Sequence, residues 1–327
     1  MIPLLRGTYW AAAIGIAGSC PAAAVAQAAS YPSKPIRLVN PYAPGGTVDI
    51  VARVVAQKLN EAWGLPVIVD NRPGAGTTIG TEIVAHAVPD GYTLLQTSGT
   101  IAANVTLYPK LSFDPVKNLA PVALVVQAPY ILAVHPAVPA RSVQEFINLA
   151  RARPGQLAFA SVGTGSTAHL TMELFRSLAR IEMLHVPYKG GAPSISAILS
   201  GEVQSIFSPV PSVLPLARSG KLRAFAVSSA ARVELAPDLP TIAESGLPGF
   251  DSTGWYAMFV PMHTPRGIVD QINAEINRIL RQPEQRERFL SIGMVPVGGS
   301  PEALGEYLKV EIARWAKVIR EAGVKPE

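Results

Sequence analysis

The chain holds one cysteine, Cys20, in 327 residues. That cysteine lies within the first thirty residues, which read as a leader. Once they are removed, no thiol remains for a disulfide, a thiolate nucleophile or a cysteine-ligated metal. Charge is sparse too. Asp, Glu, Lys and Arg make up 16% of the residues, and the net charge of +5 is scattered with no dense Lys/Arg run of the kind that marks a nucleic-acid surface. Long hydrophobic runs are missing. The apolar stretch centred on Ala11 to Ala17 is interrupted by glycines and Pro21 and falls short of the roughly 20 residues needed to span a bilayer.

Several catalytic signatures are missing as well. A Walker loop needs GxxxxGK followed by Ser or Thr, and no loop here supplies that lysine. There is no GxSxG elbow. Ser166 and His169 share one stretch without an assignable acidic partner. The histidines, His86, His135, His169, His185 and His263, follow no HExxH or other ligand spacing, so no metal and no cofactor is expected.

What is present is a globular composition, 49% hydrophobic, in a chain long enough for two domains. The leader MIPLLRGTYWAAAIGIAGSCPAAAVAQAAS has one basic residue, Arg6, ahead of its apolar run. It offers small-x-small cleavage sites at Ala24 to Ala26 and Ala26 to Ala28. Residues 1–30 therefore read as a secretory signal peptide. A membrane anchor is the rival reading. Lipidation at Cys20 is a lesser one, because Ala17, Gly18 and Ser19 lack the large aliphatic residue of a lipobox.

From Ile36 on, short apolar runs alternate with amphipathic stretches. Ile36 to Asn40, Pro66 to Asn71 and Tyr92 to Gln96 read as buried strands. The residues from Thr47 carry Val51, Val54, Val55 and Leu59 at helical spacing. The alternation resumes after a proline-rich passage, with strands at Ile131 to Pro136, Leu157 to Ser161, MLHVPY, VQSIF and Leu222 to Val227. Gly254 to Pro261 gives one further strand, and the remainder is expected to be helical. The last helix is expected to be capped by Ser300, to have Pro301 in its first turn and to stop at Gly323. Strands alternating with helices predict parallel sheets with right-handed crossovers, a doubly wound α/β architecture in two units with a cleft between them.

The loops after the strands carry the candidate chemistry: APGGTVD, RPGAGTT, TSGT and VGTGST. In a parallel sheet they lie at the carboxyl ends of the strands, where ligands bind, and each opens a helix whose first amides lack internal partners. Glycine admits a ligand to the backbone and Ser or Thr adds hydroxyls, so converging loops would hold a carboxylate or phosphate with neutral donors. The same residues are ordinary turn and cap residues. Thr47 is expected to cap its helix. Asp49 reads as a partner of the helix dipole or as a ligand contact, and Lys189 as a cleft charge or solvated surface. Gly74, Gly76 and Gly80 miss the dinucleotide spacing by one residue and read as a turn.

From Tyr31 nearly to the C-terminus the sequence resembles the periplasmic substrate-binding proteins of tripartite tricarboxylate transporters, the Bug or TctC family. The stretches that carry the likeness are YPSKPIRLV, PYAPGGTVDIVAR, VDNRPGAGTTIG, AVPDGYTLL, ASVGTGSTAHL, VPYKGGAPS, LRAFAVSS, LPTIAESGLPGF, GWYAMFVP and PVGGSPE, in that order. The resemblance implies a type II periplasmic binding protein fold, two doubly wound α/β lobes joined by two hinge crossings near Gln127 to Tyr130 and Phe250 to Gly254. Residues 31–128 with 252–327 would form one lobe and 129–251 the other. It further implies a monomer that captures a small carboxylate (a di- or tricarboxylate, aromatic acid or acidic amino acid) and delivers it to a membrane transporter without catalysis. A ligand-loaded sensory subunit for a membrane receptor and an enzyme acting on an anionic substrate are the alternatives. The family's ligand positions fall on Tyr42, Gly45, Gly46, Asp49, Ser98, Thr100, Ser161, Thr164, Gly165, Ser166 and Thr167. One departure stands out. Where relatives often carry aspartates, VQSIFSPVP has Gln204 and Ser208, so Ser208 is expected to line the pocket without a charge, which counts against an amine-bearing ligand.

Overall fold

The first strand, β1 (Ile36–Asn40), is almost wholly buried, and the helix after it shows why the chain turns back on it. In α1 (Thr47–Trp63) the side chains of Val48, Val51, Val55 and Leu59 recur on one face and are buried. The helix ends where Gly64 adopts φ 65° and donates its N–H to Asn60 O, a left-handed cap that suits glycine. The structure, a computed structural model, describes residues 31–188 and 190–325. The leader with Cys20 and the side chain of Lys189 lie outside the described residues.

The chain continues through β2 (Val67–Asn71), α2 (Thr78–Ala85), β3 (Thr93–Ser98) and α3 (Thr100–Leu107) into the long β4 (Leu119–Val134). Then come α4 (Val143–Ala152), β5 (Ala158–Ser161), α5 (Thr167–Ala179), β6 (Leu184–Pro187), α6 (Gly191–Leu199), β7 (Ser205–Pro209), α7 (Val210–Arg218) and β8 (Arg223–Val227). The last elements are β9 (Thr253–Pro261), α8 (Arg266–Arg281), α9 (Pro283–Ser291), β10 (Val295–Gly298) and α10 (Pro301–Ala322).

Strand order repeats. One half runs β2-β1-β3-β9-β4, and the other runs β6-β5-β7-β4 with β8 beyond β4. In both halves the first three strands are parallel and the fourth, β9 or β4, runs antiparallel to its neighbours. These are the two α/β halves that the alternation of runs predicts. β4 serves both. Its residues up to Pro129 pair with β9, and from Tyr130 on they pair with β7 and β8. The chain crosses back before Thr253, where Ser252 N–H donates to Ser228 O at 2.9 Å. Ser228 also ties the crossings together, because its Oγ accepts from Tyr130 N–H at 3.0 Å and donates to Ser252 O.

Two expectations are corrected. The strand expected at Ile131 to Pro136 begins instead at Leu119, before the proline-rich passage. Pro121 sits beside a register shift and Pro129 at the change of sheets, places where a missing N–H costs no ladder bond. The remainder after β9 is not all helical, since β10 pairs with β4 at the sheet edge. The C-terminal helix is as expected: Ser300 Oγ accepts from Ala303 N–H, Pro301 opens the helix, and Gly323 closes it at φ 64°.

Each half has its own core. Leu95, Trp255, Phe259, Leu304 and Trp315 are buried together in the first, and Phe146, Phe159, Phe175, Phe207 and Phe250 in the second.

Candidate functional site

The first glycine loop is held from below by Asp49. This carboxylate is buried and accepts from Gly45 N–H at 2.9 Å, Arg53 Nε at 2.8 Å, Asn71 Nδ2 at 2.9 Å and Asn40 Nδ2 at 3.3 Å. Burial pushes its pKa up, but the hydrogen bonds from Arg53, Gly45 and Asn71 together with the Arg53 charge outweigh burial and hold it at about 2. Gly45 needs to be glycine because its φ is 83°. Thr47 does not cap α1, as the sequence suggested. Gly46 is the N-cap, and no side chain caps the helix. With Asp49 engaged below, the first amides of α1 are left at the end of the helix that carries partial positive charge.

Hydroxyls gather beside this loop. Tyr42 Oη and Ser98 Oγ are 2.5 Å apart, and Ser98 Oγ and Thr100 Oγ1 3.1 Å apart. Ser98 pairs in register with Tyr256 of β9, which places that tyrosine in the same cluster. Burial pushes Tyr256 well above its ordinary value, with the neighbouring Tyr130 and Tyr42 adding to the shift and a hydrogen bond to Thr47 opposing it. Burial likewise pushes Tyr130 up to about 12 against a hydrogen bond to Thr167. Both phenols therefore stay protonated near neutrality and can donate. Gly254 is small because Tyr130 needs the space: a Cβ there would be 2.9 Å from Tyr130 Cε2.

The second half answers with the turn between β5 and α5. Ser161 Oγ lies 2.7 Å from His185 Nε2 and accepts from Gly163 N–H at 3.2 Å. Ser166 caps α5, its Oγ accepting from His169 N–H at 3.3 Å and donating to Gly163 O at 2.6 Å. Gly165, at φ 76°, donates its N–H to His169 Nδ1 at 3.0 Å, and Thr164 sits in the same turn. The imidazoles of His169 and His185 stack with centroids 3.8 Å apart.

The acidic partner that the sequence did not reveal for His169 is Glu173, one turn on, with its Oε1 3.5 Å from His169 Nε2. Burial raises the Glu173 pKa, but the hydrogen bond from His169 and the charge and hydrogen bond of Arg176 bring it below the ordinary carboxylate range. The ring nitrogens of His169 thus serve the Gly165 amide and Glu173, whereas Ser166 Oγ is engaged with backbone groups. Ser166, His169 and Glu173 do not line up as a proton relay.

The halves touch at this turn. A Cβ on Gly165 would stand 2.6 Å from Leu107 Cδ1 at the end of α3. The structure thus gathers Tyr42, Ser98, Thr100 and Thr167 with Thr47, expected only as a helix cap, and with Tyr130 and Tyr256, which the sequence did not mark as site residues. The signal for Tyr256 was its register opposite Ser98, which depends on strand pairing. Ser208 is buried on β7 opposite Ile131, whereas Gln204 is structural, its Oε1 accepting from Ala158 N–H at 2.8 Å. The near-dinucleotide loop is a pinned turn: Asn104 Nδ2 donates to Gly76 O at 2.7 Å, and a Cβ on Gly76 would collide with Tyr108 Oη.

Two surface grooves lie elsewhere. One, of about 660 Å³, is lined by Asn273, Arg281 and Arg286, and another, of about 600 Å³, by Arg141, Arg218 and Arg223. Neither includes a glycine-loop residue. Among the described residues no group of three or more His, Cys, Asp or Glu is placed to hold a metal ion.

Residues 51–324 match the family described as tripartite tricarboxylate transporter family receptor. The chain is 38% identical to Protein BugT of Bordetella pertussis over 305 residues, 93% of this chain and 94% of that one. Among solved structures it is similar to R. palustris Rpa4515 with adipate, at 36% identity and a TM-score of 0.82, covering 91% of this chain and all of the other. It is also similar to MatC (Rpa3494) from Rhodopseudomonas palustris with bound malate, at 33% identity and a TM-score of 0.77, covering 88% of this chain and all of that one.

Proposed function

The chain belongs to the tripartite tricarboxylate transporter receptor family, and from that membership we propose that it captures a small dicarboxylate and hands it to a membrane transporter. Members of this family are periplasmic binding proteins, and among the described residues no helix is long and apolar enough to cross a membrane. One observation carries the dicarboxylate reading. Hydroxyls at the helix N-termini of both halves converge on one tyrosine cluster, Thr47 bonded to Tyr256 and Thr167 to Tyr130, while the charged pairs Asp49–Arg53 and Glu173–Arg176 are already satisfied. A guest entering such a site meets oriented amides and hydroxyls on two sides, which suits a molecule with a carboxylate at each end. The relatives solved with adipate and malate support this class.

The roles divide by half. Gly46, Tyr42, Ser98 and Thr100 would receive one carboxylate, and Thr164 and Thr167, with Ser161 and Ser208 near them, the other. Gly45, Gly165 and Ser166 would shape the two turns, since the two glycine amides serve Asp49 and His169 and the Ser166 hydroxyl caps α5. Asp49 acts beneath the loop, since its oxygens serve four donors. In this reading residues 31–128 with 252–327 form one lobe and 129–251 the other. The change of sheet between Pro129 and Tyr130 supports that boundary. Residues 1–30 serve as the export signal, the mature chain acts as a monomer, and its role is binding rather than turnover.

Calorimetric titration with malate, adipate, citrate, benzoate and glutamate tests the reading. A dicarboxylate should bind at one site and stabilise the fold by about 2.7 kcal/mol at a hundredfold excess over its Kd. Glutamate should bind more weakly, because Ser208 offers its ammonium no charge. Absence of binding by every carboxylate, or consumption of any of them, would overturn the reading.

A further inference from the structure

Glu311 is the most conspicuous charge in the protein that the site does not use. It lies on α10, is 1% exposed, and accepts from both Trp255 Nε1 and Trp315 Nε1 at 3.0 Å on a single oxygen. Its other oxygen lies 3.1 Å from Arg314 Nη1. A carboxylate taken out of water is costly, and apolar packing of the two tryptophans would not need one. The question is what the indoles are being held against.

Trp255 answers it. Its ring packs against Gly99, where a Cβ would stand 2.8 Å from the indole Nε1 and 3.1 Å from Cε2. Gly99 has φ −53° and ψ −15°, a conformation open to any residue, so the space taken by Trp255 accounts for the glycine and the backbone does not. Gly99 N–H also donates to Trp255 O at 3.0 Å. Both the ring and the main chain of Trp255 therefore hold the turn between Ser98 and Thr100, the hydroxyls placed in the ligand site. Glu311 in turn fixes the ring of Trp255, together with Tyr307, whose ring meets it edge-on at 5.5 Å.

The same helix reaches both crossings. Arg314 Nη1 donates to Asp251 O at 3.1 Å, and Asp251 Oδ1 accepts from Ala230 N–H at 3.2 Å. Tyr307 hydrogen-bonds Gln127, which pairs with Trp255 in the β4–β9 register. One buried carboxylate thus links a ligand turn, through an indole, to the chain segment that must bend if the halves move.

We infer that Glu311 is a positioning residue for ligand capture, coupling the Ser98–Thr100 turn to the second crossing through Trp255 and Arg314. The inference rests on the dicarboxylate-binding reading for its consequence, but its mechanical part stands on the free protein. Glu311→Gln is the informative change. The amide keeps one acceptor for the indoles but sets its NH₂ against the Arg314 guanidinium, donor against donor. Gly99→Ala attacks the same link from the other end by displacing the indole.

In the ligand-free protein, hydrogen exchange of peptides spanning Gly99 to Asn104 and Asp251 to Trp255 should speed up about tenfold in Glu311→Gln, while those of α1 stay as in wild type. Affinity for malate or adipate should fall about tenfold in both variants, with the loss in the dissociation rate. Loosening confined to the amides of α10, or affinities within about twofold of wild type in the folded variants, would overturn the inference. If Glu311→Gln does not fold, Trp255→Phe keeps the ring and removes its N–H, and the same exchange pattern is required of it. If wild type binds neither acid, the functional reading fails and the exchange pattern alone decides the role of Glu311.

Discussion

Asn71, the last residue of β2, donates from one amide nitrogen both to Asp49 Oδ1 and to Tyr42 O, each at 2.9 Å. The loop after one strand is thereby anchored by the end of its neighbour. The residue between them is a buried carboxylate that contributes no charge to the cleft, because Arg53 closes on its other oxygen. In the proposed reading, a charged side chain thus shapes the loop that receives a carboxylate without repelling it.

Replacing Asp49 by Asn should expose this dependence. The amide retains one accepting oxygen, while its NH₂ would face the amide nitrogens of Asn40 and Asn71 or the guanidinium of Arg53. Loss of charge-assisted bonds in a buried setting is expected to cost about 2–3 kcal/mol in urea unfolding. Affinity for a dicarboxylate should drop in parallel, since Gly45 loses its anchor. Unchanged affinity in the folded variant would separate the loop from the ligand.

The same carboxylate gives stability a pH signature. Its folded pKa is about 2 against an ordinary 3.8, so the native state favours the ionised form. The contribution is complete above the ordinary value and is lost as pH falls from there towards 2, amounting to about 2 kcal/mol. Urea midpoints measured from pH 5 down to pH 2.5 should fall more steeply in wild type than in Asp49→Asn. Parallel curves would show that Asp49 is not held down in the fold.

Much of this was legible before any coordinates. The glycine loops, the alternation of elements and the capping of α10 all follow from local patterns that sequence carries directly. Other features depend on pairing between distant strands. Tyr130 reads as part of a crossing and Tyr256 as a strand aromatic until β4 changes sheets and β9 returns beside β3. Pro121 and Pro129 hid β4 from Leu119 to Tyr130, because a proline inside a strand pattern argues against a strand unless a bulge or a sheet boundary absorbs it. Nothing in the local pattern around Glu311 sets it apart from the other charges of α10. Only the packing of α10 over Trp255 removes it from water.

Gly165 permits a sharp test of how closely the halves meet. An alanine there suffers twice, from a backbone at φ 76° and from the approach of Leu107 Cδ1. The backbone part costs about 1–2 kcal/mol and remains whatever surrounds it. The steric part should disappear in Gly165→Ala combined with Leu107→Val, which lacks the clashing methyl. Calorimetry with malate should therefore show partial recovery of affinity in the double variant. No recovery would mean that the contact between the halves does not bear on ligand capture.

His169 distinguishes a positioning residue from a general base. If its role is to accept Gly165 N–H through Nδ1, then Asn, whose Oδ1 can take the same place, should retain most of the dicarboxylate affinity. Leu should not, because it leaves a buried amide unpaired and Glu173 without one of its donors, at a cost of about 2–3 kcal/mol in unfolding experiments. A base reading predicts the opposite pattern: Asn would fail as badly as Leu in any turnover assay, and both would bind normally. Tight binding by His169→Asn with weakened binding by His169→Leu would place the imidazole beneath the loop as a scaffold. Equal binding by the two variants would remove the hydrogen bond to Gly165 from the account of affinity.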